Sequence, residues 1–291
     1  MVAASTTIHD VDGVSIGHTT LAPAKTGCTV IMFDQPALTA AEVRGAAPGT
    51  RELDLLQPGR TVQQADAILL TGGSAFGLRA ADGVMNTLAN LQRGFPTPAI
   101  PVPIVPAAVI FDLANVQPEI PSPDDGALAL RTAMPLSQVE TGQVGVGTGA
   151  QWGKITGNPR DGGFYLAQCE VAGGSVTAAL VVNAMGEIDP ESDPRGAAID
   201  FMSQGEFGNN TTLISVVTDV PCSHDTLRRM CVAAHDALAR VIWPSHTVAD
   251  GDVAFASTVG GKADSAEITL PLCLATELAV EAALRAAKRK H

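Results

Sequence analysis

Short apolar, β-branched runs recur along the chain and predict strands at Cys28–Phe33, Ala67–Leu70, Val105–Leu113, Ser175–Asn183, Leu213–Thr218 and Val253–Ser257. Segments of helical period alternate with them. A glycine-rich turn leads into a helix expected over Gly77–Leu91. Over His224–Val241, Leu227, Met230, Cys231, Ala234, Leu238 and Val241 recur at a spacing that puts them on one face, and Ser223 is placed to cap the N-terminus. An alanine-rich helix is expected from about Leu272 to Lys288, its last turn rich in cations that complement the helix dipole. Strands interleaved with helices predict a layered α/β or α+β domain. Between Glu187 and Gly208 the pattern stops. Pro190, Pro194, several acids and Gly196, Gly205 and Gly208 predict a long exposed loop ahead of the strand that starts near Thr211.

Composition narrows what such a domain can do. Of 291 residues, 46% are hydrophobic, too many for a disordered chain. Eighteen Lys and Arg against 30 Asp and Glu give a net charge of −12, which argues against a nucleic-acid partner, because a phosphate polyanion needs a basic footprint. No basic cluster is large enough to grip a membrane surface. The most apolar stretch, Ala99–Phe111, is broken by Pro101, Pro103 and Pro106 and is too short to span a bilayer. The N-terminal residues do not read as a secretory signal, and a cytoplasmic protein is expected. Cys28, Cys169, Cys222, Cys231 and Cys273 are odd in number and form no C-x-x-C pair, so structural thiols are expected, with no disulfide framework and no zinc site.

Several polar clusters could carry chemistry, each with a structural alternative. Thr71-Gly72-Gly73-Ser74-Ala75-Phe76-Gly77 joins a strand to a helix start and suits a place where backbone N–H groups face a ligand, or a plain tight turn. It is no nucleophile elbow, since Phe76 holds the last glycine position of G-x-S-x-G. The run Gly145-Val146-Gly147-Thr148-Gly149-Ala150-Gln151-Trp152-Gly153-Lys154 is no phosphate loop: its first glycine would fall at Thr148, and Ile155 stands where a magnesium-binding hydroxyl belongs. It does deliver Lys154 from nearly uncharged surroundings that favour desolvation, or else exposes it. Asn183 ends a strand and either caps a turn or donates into a cleft. Asp250-Gly251-Asp252 can aim two carboxylates at one site from extended backbone, or make a turn, and lacks the ligands of a calcium or transition-metal site.

The last cluster is Gly208-Asn209-Asn210-Thr211-Thr212, a polar, glycine-led stretch that enters a hydrophobic strand at threonine. An N-terminal threonine can use its own α-amino group as base, because that group titrates at about pH 7.7–8.0. An internal threonine cannot. The arrangement makes chemical sense if the chain cuts itself between Asn210 and Thr211; the structural alternative is a short loop and a β-branched strand start.

Together these segments resemble the DmpA family of self-cleaving N-terminal-nucleophile peptidases, which includes L-aminopeptidase/D-esterases, β-peptidyl aminopeptidases and the nylon-oligomer endohydrolase NylC. The resemblance covers nearly the whole chain. It runs through Val14-Ser15-Ile16-Gly17-His18, the stretch from Glu42 to Glu52, Leu70 to Leu78 and Val105 to Asp112. It continues through the glycine loop ending at Lys154, Val181-Val182-Asn183, Asn210-Thr211-Thr212 and Asp250-Gly251-Asp252. It implies a four-layer αββα sandwich, one domain over residues 1–291, and self-cleavage into a large subunit, 1–210, and a small one, 211–291. Thr211 would be the nucleophile, Lys154 and Asn183 would support it or the oxyanion, and Asp250 and Asp252 would orient it, the twin aspartates leaning toward NylC. Gly73, Ser74, Ala75 and Phe111 would line the substrate site, with Phe111 where several relatives carry tyrosine.

The implied enzyme hydrolyses short peptides, amino-acid amides or ω-amino-acid oligomers through an acyl-enzyme on Thr211. It needs no cofactor or metal and assembles as a homo-oligomer, a tetramer of processed protomers. Two other functions fit the same segments: acyl transfer of the ornithine-acetyltransferase type, and a non-enzymatic binding module with the Asn210–Thr211 bond intact.

Overall fold

The computed structural model describes residues 3–113, 119–191, 196, 199, 210–263 and 265–289. Its first half carries β1 (Val14–Leu21), β2 (Thr26–Val43), β3 (Thr50–Arg51), β4 (Gln64–Thr71) and α1 (Ala80–Asn90), then β5 (Ala107–Val109), α2 (Pro123–Arg131) and β6 (Met134–Pro135). Next come β7 (Gln151–Trp152), β8 (Arg160–Asp161), β9 (Gly163–Val171), β10 (Gly174–Asn183) and β11 (Glu187–Ile188). The chain continues with β12 (Thr211–Thr218), α3 (His224–Val241), β13 (Ile242–Trp243), β14 (Val253–Thr258) and α4 (Thr269–Lys288).

Strand order is β3-β5-β4-β2-β14-β12-β10-β9, with β1 pairing β2 and β6. The long strand β2 belongs to both halves of this sheet. Its first half pairs with β1 and β4, its second half with β14, and its register against β4 shifts between Met32 and Ala37. A break of this kind bends a strand. Side-chain alternation shows the result. Ile31 and Phe33 on β2, Ile68 and Leu70 on β4, Val181 on β10 and Phe255 on β14 meet in one inner cluster. The alternate residues point outward in two directions. Cys28, Val30, Ala67 and Leu69 pack against α1 and α2. Ala178, Leu180, Ile214, Ala254 and, from the far half of β2, Ala40 pack against α3 and α4. Two sheet layers therefore face each other with a helical layer outside each, the four-layer αββα sandwich.

Local sequence accounts for most elements. α3 covers His224–Val241 as expected; its six apolar stripe residues are buried, and Ser223 Oγ accepts the Thr226 N–H. The strand expected over Val105–Leu113 shrinks to Ala107–Val109. Beyond it the Ile110 N–H turns to Thr71 O, and the Asp112 carboxylate takes the Gly73 N–H. The helix expected over Gly77–Leu91 is a 3-10 turn, Ser74–Arg79, running into α1. Of the described strands and α-helices longer than two residues, β1, β9 and α2 lie outside the expected set. α2 is closed by a capping box between Ser122 and Asp125, a signal legible in sequence. All five cysteines are free thiols, and Cys273 alone is not fully buried. The expected loop after Glu187 begins with β11, which pairs with β13; residues 192–209, apart from 196 and 199, lie outside the described set. No helix of the described residues is long and apolar enough to cross a membrane.

Candidate active site

The ends of β10 and β12 bring the candidate residues together. The two strands are antiparallel, and their register sets Asn183 opposite Thr211. Opposed residues share a face of the sheet. Here it is the inner face, because Val181 and Leu213, two positions along each strand, belong to the inner cluster. Parallel pairing of β12 with β14 then carries the loop before β14 to the same place, where Asn210 bridges Asp250. Asn183, Asn210, Thr211, Asp250 and Asp252 are all buried.

The peptide bond between Asn210 and Thr211 is gripped from both sides. Thr211 Oγ1 donates to the Asn210 carbonyl oxygen at 2.5 Å, and the Gly251 N–H donates to that oxygen at 3.0 Å. A side chain at 251 would crowd the Thr211 hydroxyl. A Cβ there would lie 2.7 Å from Thr211 Oγ1 and 2.8 Å from Ala47 O. The N–H of the next residue, Thr212, donates to Asp252 Oδ1 at 2.7 Å. Asp252 Oδ2 meets His246 Nδ1 at 2.8 Å, and Asp250 Oδ2 accepts the Thr247 N–H at 2.7 Å. Burial first, and the charge of Asp252 second, push Asp250 up to about 6.

Lys154 reaches the cluster from the opposite direction. The hairpin of β7 and β8 is pinned to the chain just beyond Asn183: Gly153 N–H donates to Gly186 O and Ile155 N–H to Met185 O. Gly153 takes φ +70°, which a side chain disfavours, and a Cβ there would meet Glu187 Oε1 at 2.7 Å. So held, Lys154 Nζ donates to Asn183 Oδ1 at 2.8 Å, and the Gln151 N–H shares that oxygen at 3.1 Å. Burial drives the Lys154 amine down to about 7, against the pull of Asp250 and Asp112.

The glycine turn is tied in through Asp112. Its Oδ1 accepts the Gly73 N–H at 2.7 Å and its Oδ2 the Thr26 hydroxyl at 2.6 Å, and burial raises its carboxyl above the usual range. The expectation that this turn aims N–H groups at a ligand is not met at three positions. Gly72 N–H donates to Gly27 O, Gly73 N–H to Asp112 and Ser74 N–H to Ile110 O. Ala75 is exposed, and Ser74 and Phe111 are half-buried. Sequence reasoning missed Asp112 and His246 as site residues. His246 stands only four residues before Asp250, a proximity that could have flagged it, whereas Asp112 joins Gly73 across 39 residues with no spacing to read.

Residues 6–289 match the family model described as peptidase family S58. The chain belongs to peptidase family S58. This S58 peptidase is 38% identical, over 316 residues, to an uncharacterized aminopeptidase of Mycobacterium tuberculosis, covering 96% of this chain and 89% of the relative. It is 30% identical, over 287 residues, to a 6-aminohexanoate-oligomer endohydrolase of Paenarthrobacter ureafaciens, covering 90% and 76%. Its fold is similar to that of the solved L-aminopeptidase D-Ala-esterase/amidase of Ochrobactrum anthropi, described as a new variant of the Ntn hydrolase fold. The TM-score is 0.69 at 17% identity, covering 95% of this chain and 84% of the other. The resemblance to the DmpA peptidases and NylC holds, and the chain is a hydrolase of that group.

Proposed function

We propose that this S58 peptidase is a self-processing N-terminal threonine amidohydrolase acting on short peptides, amino-acid amides or ω-amino-acid oligomers. The observation that carries the proposal is the pairing of a hydroxyl and an N–H, Thr211 Oγ1 and Gly251 N, on the carbonyl oxygen of the bond to be broken. The hydroxyl is within reach of the carbonyl carbon, and the N–H sits where negative charge develops on the oxygen.

In the precursor, Thr211 Oγ adds to the Asn210 carbonyl carbon. The hydroxyl proton passes to the departing Thr211 nitrogen as the C–N bond breaks, leaving Asn210 esterified to Oγ. Water hydrolyses that ester, giving residues 1–210 with a new carboxylate and 211–291 with a free α-amino group. That amine, near its pKa at neutral pH, then serves as the base that Thr211 lacked. In turnover Oγ attacks the substrate amide carbon, the amine leaves, and water releases the acid from the acyl-enzyme.

The surrounding residues divide the remaining work. Asp252 fixes the peptide after Thr211. Lys154, with its amine lowered to about 7, orders the Asn183 amide opposite the nucleophile and gives the cluster a group that can gain or lose a proton near neutral pH. A 6-aminohexanoate oligomer and small amino-acid amides are the substrates to try first. Release of new amino groups by the wild-type protein, absent from Thr211→Ala, is the expected result. Equal release by both would overturn Thr211 as nucleophile.

A further inference from the structure

His246 lies in the loop between β13 and β14 with φ +55°, in the left-handed region that a residue with a Cβ rarely adopts. In that conformation its backbone N–H, at 3.1 Å, and its ring Nδ1, at 2.8 Å, meet the same oxygen, Asp252 Oδ2. The other carboxylate oxygen holds the Thr212 N–H. A chain of two contacts therefore joins the histidine ring to the peptide that follows Thr211.

The second ring nitrogen, Nε2, lies 3.4 Å from the His235 carbonyl oxygen. Carboxylate and carbonyl oxygens only accept, so both ring nitrogens carry protons when both contacts form. The site is shaped for an imidazolium. The charged groups facing it agree with this. Asp252 and Asp250 lie in its own loop, and Lys154 faces Asp250 from the β7–β8 hairpin. From α3, the His235 ring stands edge-on at 4.9 Å, with Glu42 and Arg44 behind it at the end of β2. Burial drives His235 down to about 4, and its Nε2 is used by Glu42 O, so it stays neutral and does not compete for the positive charge. At His246 burial acts downward too, but the hydrogen bond and charge of Asp252 outweigh it, and the ring holds its proton more tightly than an ordinary histidine.

We propose that His246 is a positioning residue of this active site: its imidazolium clamps Asp252, Asp252 fixes the peptide after Thr211, and the positive charge offsets the adjacent Asp250 and Asp252 carboxylates. The inference rests on the reading of Thr211 as nucleophile and deepens it. Without the clamp Asp252 can swing, Thr212 loses its anchor, and Thr211 Oγ leaves the carbonyl it must attack. Misplacement on this scale slows a reaction without abolishing binding.

The test compares wild type, His246→Asn and His246→Ala across pH, following self-cleavage by intact mass and turnover of a small amide. Asparagine tolerates the left-handed backbone and puts an amide donor where Nδ1 stood, but it carries no charge. His246→Ala is expected to lower the cleavage rate and kcat by about 10- to 100-fold with KM little changed. His246→Asn is expected to recover most of the plateau rate. In self-cleavage, before any free Thr211 amine exists, its acidic limb, the fall in rate as Asp250 takes a proton near 6, is expected to move to higher pH, because a nearby cation has been removed. An alanine variant with wild-type rates, or an asparagine variant with the wild-type pH profile, overturns the proposal. If the alanine variant does not fold, the limb of the asparagine variant decides alone. A wild-type chain that never breaks at Asn210–Thr211 sinks the nucleophile reading and this proposal with it; a cleaving wild type with indifferent His246 variants sinks this proposal only.

Discussion

Asn183 stands opposite Thr211 on the neighbouring antiparallel strand, and its amide oxygen holds Lys154 Nζ at 2.8 Å. The relationship depends on strand register, which places a strand-end amide, a loop lysine and a strand-start threonine on one face between the two sheet layers. A slip of one residue would turn either side chain to the helix-covered face. The placement of Asn183 against Thr211 is thus set by backbone pairing of two buried strands.

Substitution of Thr211 separates the hydroxyl from the strand it begins. Thr211→Ala should yield a folded, uncleaved chain near the full 29.8 kDa without amidase activity. Thr211→Ser keeps an oxygen that can add to the Asn210 carbonyl, and should still mature, though more slowly. Gel mobility with time after purification distinguishes the three chains.

Gly251→Ala should stall maturation while leaving the fold in place. The added methyl would press on Thr211 Oγ1 at 2.7 Å and on Ala47 O at 2.8 Å, so the hydroxyl must give way. Displacement of a reacting atom by about an ångström costs on the order of 10²-fold in rate. Circular dichroism should match wild type while cleavage slows by about that factor; unimpaired cleavage would show that Gly251 does not crowd the nucleophile.

Asp252→Asn should have two effects of separate origin. The plateau rate should fall, because a neutral amide is a weaker acceptor for the Thr212 N–H. The acidic limb of self-cleavage, read before the Thr211 amine is freed, should move to lower pH, since the like charge that helps hold Asp250 up to about 6 is gone. This shift is opposite in sign to that expected for His246→Asn, so the two pH profiles measured side by side check the electrostatic assignment of the whole loop.

Lys154 should leave a mark on stability. Its folded value, about 7, lies below the 10.5 of a free lysine, so between those values the unfolded chain binds the extra proton. Where the unfolded state binds more protons, stability rises with pH. The Lys154 contribution is therefore unfavourable below about pH 7 and disappears progressively toward 10.5. In a Thr211→Ala background, which removes cleavage as a variable, Lys154→Met should flatten the rise of melting temperature with pH across that window. Parallel curves for the two chains would contradict a desolvated lysine.

Much of this site was legible in sequence because its residues sit at element ends. Asn183 closes a β-branched run, Thr211 opens one, and Asp250-Gly251-Asp252 precedes another. Local patterning marks such boundaries, and α3 with its Ser223 cap came out residue for residue for the same reason. What escaped depends on distant pairing. β1 and β9 carry no clean alternation: Gly17 sits within β1, and most of β9 is buried on both faces. The bend in β2 that lets one strand serve both layers comes from register against β4 and β14. Asp112 could not be assigned from sequence, because its partners, Gly73 and Thr26, lie 39 and 86 residues away. The glycine turn reads equally as a ligand-facing set of N–H groups or as a plain tight turn, and the fold uses three of those N–H groups internally.

The central claim is that the chain breaks itself between Asn210 and Thr211, and an intact mass of the purified protein under denaturing conditions tests it most directly. The expected result is two species whose masses correspond to residues 1–210 and 211–291, with Thr211→Ala remaining whole. A single species near 29.8 kDa after prolonged incubation at neutral pH, or a break at any other bond, would contradict it.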